Sequence, residues 1–243
     1  MIFAAGLGTR LKPLTDRMPK ALVPLAGKPL LQWQVEKLRD AGITDIIVNV
    51  HHFPDMIIDT IRANQGWNCN IAVSDEREML LDTGGGLKKM KNEKLKIINE
   101  PILACNVDIL SNIDLRALIS AYECTGVSQL VVSKRETQRY LCFDEKDRLC
   151  GWTNIKTGEV RPNNGIWTKE NTQLLAFSGM QILSPDVLAM LDAMKEDKFS
   201  LIDFYLSICG KAELKAFVPN DYRMMDVGKI DQIEEAEIFA ESL

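Results

Sequence analysis

Two glycines and two cations near the start of the chain have the residue types of a phosphate-binding loop. The apolar run of residues 1–5 predicts a strand, and Gly6 and Gly8 follow it. Glycines in this position let backbone N–H groups approach an anion. Arg10 then offers a planar fork of donors and Lys20 a compact charge, so the pair could hold a polyphosphate and neutralise its leaving portion.

The spacing of this loop differs from the two common phosphate-binding motifs. A dinucleotide-binding fingerprint needs a third glycine at the position of Leu11. A P-loop needs Lys and then Ser or Thr directly after its last glycine, but Gly8 is followed by Thr9 and Arg10. The loop is therefore defined by a longer composite, which reads A-A-G-L-G-T-R, then P-L-T, then P-K-A-L-V-P-L-A-G-K-P.

Two aspartates that are far apart in the sequence could bind a divalent cation. Asp108 ends the apolar run L-A-C-N-V-D, and Asp226 stands in M-M-D-V-G, so each carboxylate lies where a turn begins. Mg²⁺ prefers oxygen ligands and is usually held by one or two carboxylates together with substrate phosphates. An Asp after a strand is also a common turn former or helix cap, and the residue types alone leave both interpretations open.

A second glycine-rich segment, T-G-G-G at 83–86, stands where a helix is predicted to begin. Its N–H groups and small profile could contact a flat base or a ribose, although a plain helix entrance has the same pattern. Lys20 could likewise be a solvated lysine of the loop. His51 and His52 are adjacent in an extended segment, which points their side chains to opposite faces. We therefore interpret the two histidines as caps, turn residues or pocket lining.

The elements that must position these residues alternate between strands and helices. Leu31, Val35 and Leu38 share one face of a helix that begins after Pro29, and Gly42 ends this helix. Further strands are predicted at 46–50, 70–73, 102–105, 129–133, 174–183 and 213–218, and further helices at 55–63, 84–91, 112–124, 184–194, 200–209 and 229–242. Between 138 and 172, short polar and aromatic runs with Asp, Gly and Asn predict antiparallel hairpins.

This alternation predicts an α/β fold with a Rossmann-like, doubly wound, mostly parallel sheet. We expect one domain over residues 1–243, with 138–172 as a small antiparallel insertion on the sugar side of the site. Ligands of such sheets bind beyond the carboxyl ends of the strands. The glycine loop, the 82–86 segment and Asp108 follow or adjoin such strand ends, so we expect them to lie together.

Composition and charge exclude several classes of protein. Hydrophobic residues make up 46% and charged residues 26% of the 243 residues, which is typical of a globular protein. A formal charge of −5 argues against nucleic-acid binding, which needs clustered cations over a broad face. No segment is long and apolar enough for a membrane span, so we expect a cytoplasmic protein that does not bind membranes. The six cysteines form no C-x-x-C pair, and we interpret them as buried or half-buried thiols.

The composite motif of residues 1–29 resembles the sugar-1-phosphate nucleotidyltransferase family, enzymes that join a nucleoside triphosphate to a sugar 1-phosphate and release pyrophosphate. Weaker similarity continues to D-V-G at 226–228 and the final helix. The resemblance implies the nucleotide-diphospho-sugar transferase fold, Mg²⁺ as cofactor, and a nucleoside triphosphate and a sugar 1-phosphate as ligands. We expect a monomer or a small homo-oligomer. The first strand begins early for the family, so a few residues could precede it in the natural chain.

The resemblance also implies roles for single residues. Arg10 would bind the β- and γ-phosphates, and Lys20 would bind the phosphates that take part in the transfer step. Asp108 and Asp226 would hold the metal that bridges nucleotide and sugar phosphate. A sugar 1-phosphate is already ionised at neutral pH, so positioning and charge neutralisation suffice without a general base. One departure is Val107, because many relatives have Gly directly before the first aspartate.

The resemblance further implies contacts to the two substrates. The nucleotide-binding residues are Ala4, Ala5, Gly6, Gly8, Thr9, Thr83, Gly84, Gly85 and Asn106. The sugar-binding residues are Asn154 and Gly179. Several relatives carry a Glu-Lys pair after the antiparallel insertion, whose Lys binds the sugar phosphate. No Lys stands at the corresponding place in this chain, and Lys156 or Lys169 could replace it.

The sequence D-T-G-G-G at 82–86 resembles those members of the family that act as uridylyltransferases on N-acetylmuramic acid 1-phosphate. UTP with N-acetylmuramate 1-phosphate is therefore the first hypothesis. Guanylyltransferases for mannose or heptose phosphates share the same framework, so GTP with one of these sugar 1-phosphates is an alternative. A non-catalytic nucleotide-sugar sensor or regulatory subunit is a third, and the retention of the four charged residues together favours catalysis.

Overall fold

The elements of the chain were defined from a computed structural model, which describes residues 1–92, 99–162 and 171–243. The strands are β1 (Ile2–Phe3), β2 (Pro24–Leu25), β3 (Lys28–Pro29), β4 (Asp45–Val50), β5 (Asn70–Asp75), β6 (Ile102–Asn106), β7 (Ile109–Ser111), β8 (Ser128–Ser133), β9 (Arg139–Phe143), β10 (Leu149–Asn154), β11 (Glu159–Arg161), β12 (Gln173–Leu183), β13 (Leu214–Phe217) and β14 (Met224–Asp226). The α-helices are α1 (Leu30–Asp40), α2 (Pro54–Ala63), α3 (Asp82–Asn92), α4 (Leu115–Thr125), α5 (Pro185–Ala189), α6 (Leu201–Ile208) and α7 (Ile233–Glu241).

The main sheet of the described residues has the strand order β11-β10-β9-β12-β6-β1-β4-β5, with β8 beside β12 and β13 beside β8. β1 pairs in parallel with both β4 and β6, and β4 pairs in parallel with β5. Ile2 thus lies between Val48 and Cys105. Because β1 and β6 run in the same direction, the glycine loop after β1 and Asp108 after β6 emerge at the same edge, as the alternation of elements predicts.

The α/β fold with a mostly parallel central sheet is confirmed, and the antiparallel pairs of this sheet involve β12 and the strands β9, β10 and β11. The long strand β12 runs antiparallel to β6, β8 and β9. The chain enters β12 from the antiparallel strands β9, β10 and β11, and an antiparallel neighbour needs no crossover helix. Trp167 and Lys169 belong to the predicted insertion but lie outside the described residues.

Helices cover both faces of the sheet, which is the doubly wound arrangement. One buried cluster holds Val35 of α1, Ile57 of α2, Leu118 of α4 and Ala236 of α7. The cluster on the other face includes residues of α3, α5 and α6, for example Leu87, Leu188 and Phe204. Ile2 and Phe3 alternate between the two clusters, because successive side chains of a strand point to opposite faces.

The first helix shows how local sequence sets an element. Its buried residues include Leu31, Val35 and Leu38, the positions that the helical period predicts. The helix ends as Gly42 adopts a positive φ of 91° and its N–H donates to the Arg39 carbonyl at 2.8 Å. Gly42 therefore supplies the left-handed conformation that a helix end commonly requires.

A short antiparallel ribbon, formed by β7 and β14, stands apart from the main sheet. Asp226 lies opposite Ile109 in this ribbon, and Met224 lies opposite Ser111. The backbone N–H of Val227 continues the pairing with a hydrogen bond of 2.9 Å to the carbonyl oxygen of Asp108. The ribbon therefore carries the C-terminal aspartate to the end of β6.

Within residues 1–92, 99–162 and 171–243, we find no helix with the length and apolarity to traverse a lipid bilayer. All six cysteines carry free thiols. Cys105 and Cys142 are buried, and Cys69, Cys150 and Cys209 are half-buried, as expected. Cys124 is exposed, which corrects the interpretation for this residue, because it lies on the solvent side of α4 near the helix end.

Candidate active site

The glycine loop after β1 is held in place from within. Gly8 adopts a left-handed conformation with φ 61°, and its carbonyl accepts hydrogen bonds from the Leu11 N–H at 2.8 Å and the Thr15 hydroxyl at 2.9 Å. A Cβ at Gly8 would stand 2.8 Å from Cγ2 of Thr15 and 3.0 Å from Cβ of Lys20. Gly6 has no such neighbour within 4 Å. Gly8 is thus required for packing, whereas Gly6 leaves open space for a ligand.

A cleft of about 420 Å³ lies between this loop, the end of β6 and the start of α3. Most of the predicted phosphate and nucleotide contacts meet here. The predicted residues that line the cleft are Ala4, Gly6, Gly8, Thr9, Arg10, Lys20, Thr83, Asn106 and Asp108, and Leu80, Val107 and Gly228 complete the wall among others. The cleft therefore combines backbone N–H groups, two cations and a carboxylate around one volume.

The two predicted metal aspartates are brought together by the β7–β14 ribbon. Lys20, whose side chain is almost fully buried, forms an ion pair with Asp108. Arg10 lies 3.8 Å from a carboxylate oxygen of Asp226. At Gly228 a Cβ would be 2.8 Å from Arg10 Nη2 and also 2.8 Å from Asp226 Oδ1, so glycine lets these side chains meet. The four residues that the resemblance assigns to catalysis thus form one charged cluster.

The charges of the cluster act on each other. Partial burial, followed by the negative charge of Asp108, raises the pKa of Asp226, and the charges of Lys20, Arg10 and Arg135 act in the opposite direction. Two carboxylates that repel each other at the rim of a cleft are a favourable place for a cation. The donor set therefore fits Mg²⁺.

Two carboxylates, those of Asp108 and Asp226, are the candidate protein ligands for a metal ion. No group of three or more His, Cys, Asp or Glu side chains able to hold a metal occurs in residues 1–92, 99–162 and 171–243. Mg²⁺ is commonly bound by one or two carboxylates, with substrate phosphates and water as the other ligands. Asp108 and Asp226 would supply the two carboxylates.

A buried hydrogen-bond chain, which no sequence motif predicted, supports the glycine loop at Ala4. The Ala4 N–H donates to Oδ1 of Asn49 at 2.7 Å, and Nδ2 of Asn49 donates to Oε1 of Glu76 at 2.7 Å. The other oxygen of Glu76 accepts the Leu81 N–H at 3.2 Å. Burial raises the pKa of Glu76. A polar Asn within the apolar strand I-I-V-N-V was the available signal, since a buried amide needs partners.

The glycines at the start of α3 pack against protein in the structure. The N–H groups of Gly84 and Gly85 share the carbonyl of Phe199 as acceptor, at 3.0 and 3.1 Å. A Cβ at Gly85 would stand 2.1 Å from the carbonyl oxygen of Asp197. Thr83 lines the cleft, and its hydroxyl accepts the Leu201 N–H at 3.0 Å. The structure thus brings Thr83 to the cleft, but gives the two glycine N–H groups a partner other than a nucleotide.

The predicted sugar-side residues lie in two different settings. Gly179 has φ 68°, and a Cβ there would be 2.8 Å from Asn106 Nδ2 and 3.2 Å from Ile109 Cγ1, so this glycine packs directly on the end of β6. Asn154 closes the turn after β10, where its Oδ1 accepts the Lys156 N–H at 3.0 Å. The described residues that line the cleft do not include these predicted site residues: Ala5, Gly84, Gly85, Asn154, Gly179 and Asp226. Asp226 lies beside the lining residues Arg10 and Gly228.

The two histidines hold backbone near the cleft. Nδ1 of His51 lies 2.7 Å from the Glu76 carbonyl oxygen, and Nε2 of His52 lies 2.9 Å from the Thr15 carbonyl oxygen. Each ring thus ties the end of β4 to a different loop of the site. Neither histidine is among the described residues that line the cleft, and both lie in the turn between β4 and α2, which agrees with the interpretation as turn residues.

Helix α1 braces the strand that follows Asp108, a contact that the sequence analysis also missed. The buried amide of Gln34 donates to the carbonyl of Ile109 at 2.6 Å. Lys37 donates to the Ser111 carbonyl and, at 2.8 Å, to the Ser111 hydroxyl. Burial lowers the pKa of Lys37 to about 8. The only signal was a polar pair next to the apolar face of α1, which a surface helix also shows.

Comparisons with known proteins agree with this geometry. A family model described as nucleotidyl transferase matches residues 1–242. The N-acetylmuramate alpha-1-phosphate uridylyltransferase of Caulobacter vibrioides is 42% identical over 200 residues, which cover 78% of this chain and 76% of that protein. The mannose-1-phosphate guanyltransferase of Saccharomyces cerevisiae is 32% identical over 195 residues, or 79% of this chain, but the match spans only 51% of the yeast protein.

A solved structure of an apo UDP-glucose pyrophosphorylase has the same fold. It superposes with a TM-score of 0.77 and 19% sequence identity, covering 100% of this chain and 98% of the other. At this level of identity the likeness shows the architecture of the sheet and its helices.

Proposed function

The chain belongs to the nucleotidyl transferase family, and on this premise we propose that it transfers the uridylyl group of UTP to N-acetylmuramate 1-phosphate. The products are the UDP-sugar and pyrophosphate. The observation that carries the enzymatic part is the meeting of Asp108 and Asp226 beside Arg10 and Lys20 in one charged cluster. The choice of substrates is supported by the 42% identity with the Caulobacter vibrioides uridylyltransferase and by the D-T-G-G-G sequence at 82–86.

The reaction requires positioning more than proton transfer. An ionised oxygen of the sugar 1-phosphate attacks the α-phosphorus of the triphosphate and forms a new P–O bond. The bond from the α-phosphorus to the bridging oxygen breaks, and its electron pair leaves with pyrophosphate. Neither the nucleophile nor the leaving group needs a proton at neutral pH, so charge stabilisation is the main contribution of the protein.

The cations of the cluster have separate tasks in this scheme. Arg10 is an exposed, bidentate donor at the mouth of the cleft, suited to the terminal phosphates. Lys20 is almost fully buried and paired with Asp108, so its ammonium has little freedom to move. It would lie near the reacting phosphorus when substrate is bound. The glycine loop supplies backbone N–H groups and the left-handed turn at Gly8, which places Lys20.

Asp108 and Asp226 would hold Mg²⁺, whose charge would neutralise oxygens of both phosphates when it is bound. The hydrogen bond between Val227 and Asp108 holds the main chain beside Asp226 against that of Asp108. The Asn49–Glu76 chain holds the main chain of the glycine loop at Ala4. These residues act by orientation and do not exchange protons with substrate.

GTP with a mannose-type 1-phosphate is a second candidate, because the yeast guanyltransferase is 32% identical over most of this chain. The test incubates the purified protein and MgCl₂ with UTP or GTP and a panel of sugar 1-phosphates that contains both candidates, and follows pyrophosphate release. UTP with N-acetylmuramate 1-phosphate should give the largest kcat/KM. Faster turnover of GTP with mannose 1-phosphate would make that pair the preferred substrates in place of UTP and N-acetylmuramate 1-phosphate. Tight product binding without any turnover would indicate a sensor.

A further inference from the structure

A second anion has to be accommodated beside the triphosphate. The phosphate of a sugar 1-phosphate is ionised at neutral pH, and its approach to the triphosphate brings like charges together. Arg10 and Lys20 line the cleft together with the glycine loop, on the side that we assign to the triphosphate. A further cation near the carboxylate pair, on the side of the incoming sugar, would reduce the repulsion.

Arg135 lies across β6 from the glycine loop. β6 stands between β1, which leads into the glycine loop, and β12, which is flanked by β8. β6 and β8 are both antiparallel to β12, so they run in the same direction and end at the same edge. Ser133 is the last residue of β8, and Arg135 follows it closely. Arg135 therefore stands at the edge where Asp108 follows β6.

A hydrogen bond links Arg135 to β12, the strand that contacts the β7–β14 ribbon. Its Nη2 donates to the carbonyl oxygen of Phe177 in β12 at 2.8 Å. Gly179, just beyond Phe177, packs on Asn106 and on Ile109, as the close approach of its Cβ position shows. Ile109 is the residue opposite Asp226 in the ribbon. The guanidinium of Arg135 is thus held on β12, the neighbour of the strand β6 that precedes Asp108.

We propose that Arg135 binds the phosphate of the sugar 1-phosphate and takes the place of the Lys that relatives are expected to use. This inference rests on the proposed function. Arg135 is exposed, and its Nη2 donates a hydrogen bond to Phe177. A guanidinium has five N–H donors in a planar fork, so donors remain for a phosphate on the same side.

The charges around the site agree with this position. Burial raises the pKa of Tyr222, while hydrogen bonds to Ser178 and Ser111 and the charge of Arg135 act against this rise. Arg135 therefore lies near Tyr222, which precedes β14 by two residues. Lys156 lies in the hairpin turn after Asn154, and Lys169 lies outside the described residues.

The test compares Arg135→Gln with the matched control Lys134→Gln, which removes the neighbouring exposed cation. Initial rates are measured in MgCl₂ with the sugar 1-phosphate varied at saturating UTP, and then with UTP varied at saturating sugar 1-phosphate. Loss of a charge-assisted contact should raise KM for the sugar 1-phosphate roughly 10- to 100-fold and leave KM for UTP within about twofold. Arg135→Lys should recover part of the loss. Lys134→Gln should behave like the unmodified protein.

Binding measurements separate this inference from the proposed function. Calorimetric titration of the sugar 1-phosphates into protein that contains MgCl₂ and a non-hydrolysable UTP analogue does not need turnover. Weaker binding to Arg135→Gln supports the inference. If the unmodified protein turns over substrate but Arg135→Gln keeps its KM for the sugar 1-phosphate, or raises both KM values equally, the inference alone fails. If the unmodified protein neither binds nor turns over any sugar 1-phosphate, both fail.

Discussion

The backbone N–H of Val227 donates a hydrogen bond of 2.9 Å to the carbonyl oxygen of Asp108. This bond ends the β7–β14 ribbon and sets Asp226 beside Asp108, although the two aspartates are far apart in the chain. Because the contact uses main-chain atoms, it survives substitution of either carboxylate. The proposed metal-binding role of each side chain can therefore be tested without removing the main-chain contact between the two segments.

Asp226→Asn should lower kcat by about 10²-fold or more, the size of effect expected when a group that stabilises transition-state charge is lost. The change should leave the free energy of unfolding nearly unaltered, since the side chain is 48% exposed and the backbone pairing persists. Initial rates and urea unfolding provide the two measurements. Asp231→Asn, at an exposed position of the following segment, is the control. Near-normal turnover in saturating Mg²⁺ would remove Asp226 from the mechanism.

Gly8→Ala should destabilise the protein and impair catalysis together. The left-handed backbone costs a non-glycine residue about 1–2 kcal/mol. The new Cβ would also stand 2.8 Å from Thr15 and 3.0 Å from Lys20, which must shift. The free energy of unfolding, measured with urea, and kcat/KM should both fall. Gly210→Ala is the matched control, because its Cβ meets nothing within 4 Å; a control that loses as much as Gly8→Ala would contradict this explanation.

Lys37→Met should raise the Mg²⁺ concentration needed for half-maximal activity by about 10-fold, as loss of a residue that orients metal ligands commonly does. Lys37 bonds the Ser111 carbonyl and hydroxyl in β7, so its loss should loosen the strand that pairs with Asp226. Activity in excess Mg²⁺ should largely recover, which a general loss of folded protein would not allow. Lys211→Met, at an exposed site, controls for the loss of one cation. An unchanged Mg²⁺ requirement would show that α1 does not position the ribbon.

Glu76→Gln should change how stability depends on pH. Burial raises the pKa of Glu76 from its ordinary value of 4.5, so the folded protein binds this proton more tightly than the unfolded chain. The stabilisation from Glu76 is complete below pH 4.5 and is lost as the pH rises through the raised pKa. The free energy of unfolding of the unmodified protein should therefore fall relative to Glu76→Gln over that interval. Urea titrations between pH 4 and 8 measure it, with the exposed Glu78→Gln as control; parallel curves would contradict the expectation.

The sequence by itself determined the elements and the chemistry at their ends. The apolar periods located α1 and the central strands, because each pattern depends on neighbours a few residues away. The glycine and cation spacing of the first loop indicated a polyphosphate site, and Gly8, Arg10 and Lys20 do line one cleft. Asp108 could be placed at that edge because it closely follows a strand that runs parallel to β1.

Only the tertiary structure decided which distant groups meet around the cleft. Asp226 reaches Asp108 through an antiparallel ribbon whose register no local pattern specifies, and a shift by one residue would turn the carboxylate away. No local pattern specifies the hydrogen bond between Asn49 and Glu76 either. The N–H groups of Gly84 and Gly85 likewise bond to the carbonyl of Phe199, which is remote in the sequence. Local sequence fixes backbone conformation through sterics over a few residues. Contacts between remote segments depend on how whole strands and helices pack, and many side chains can satisfy that packing.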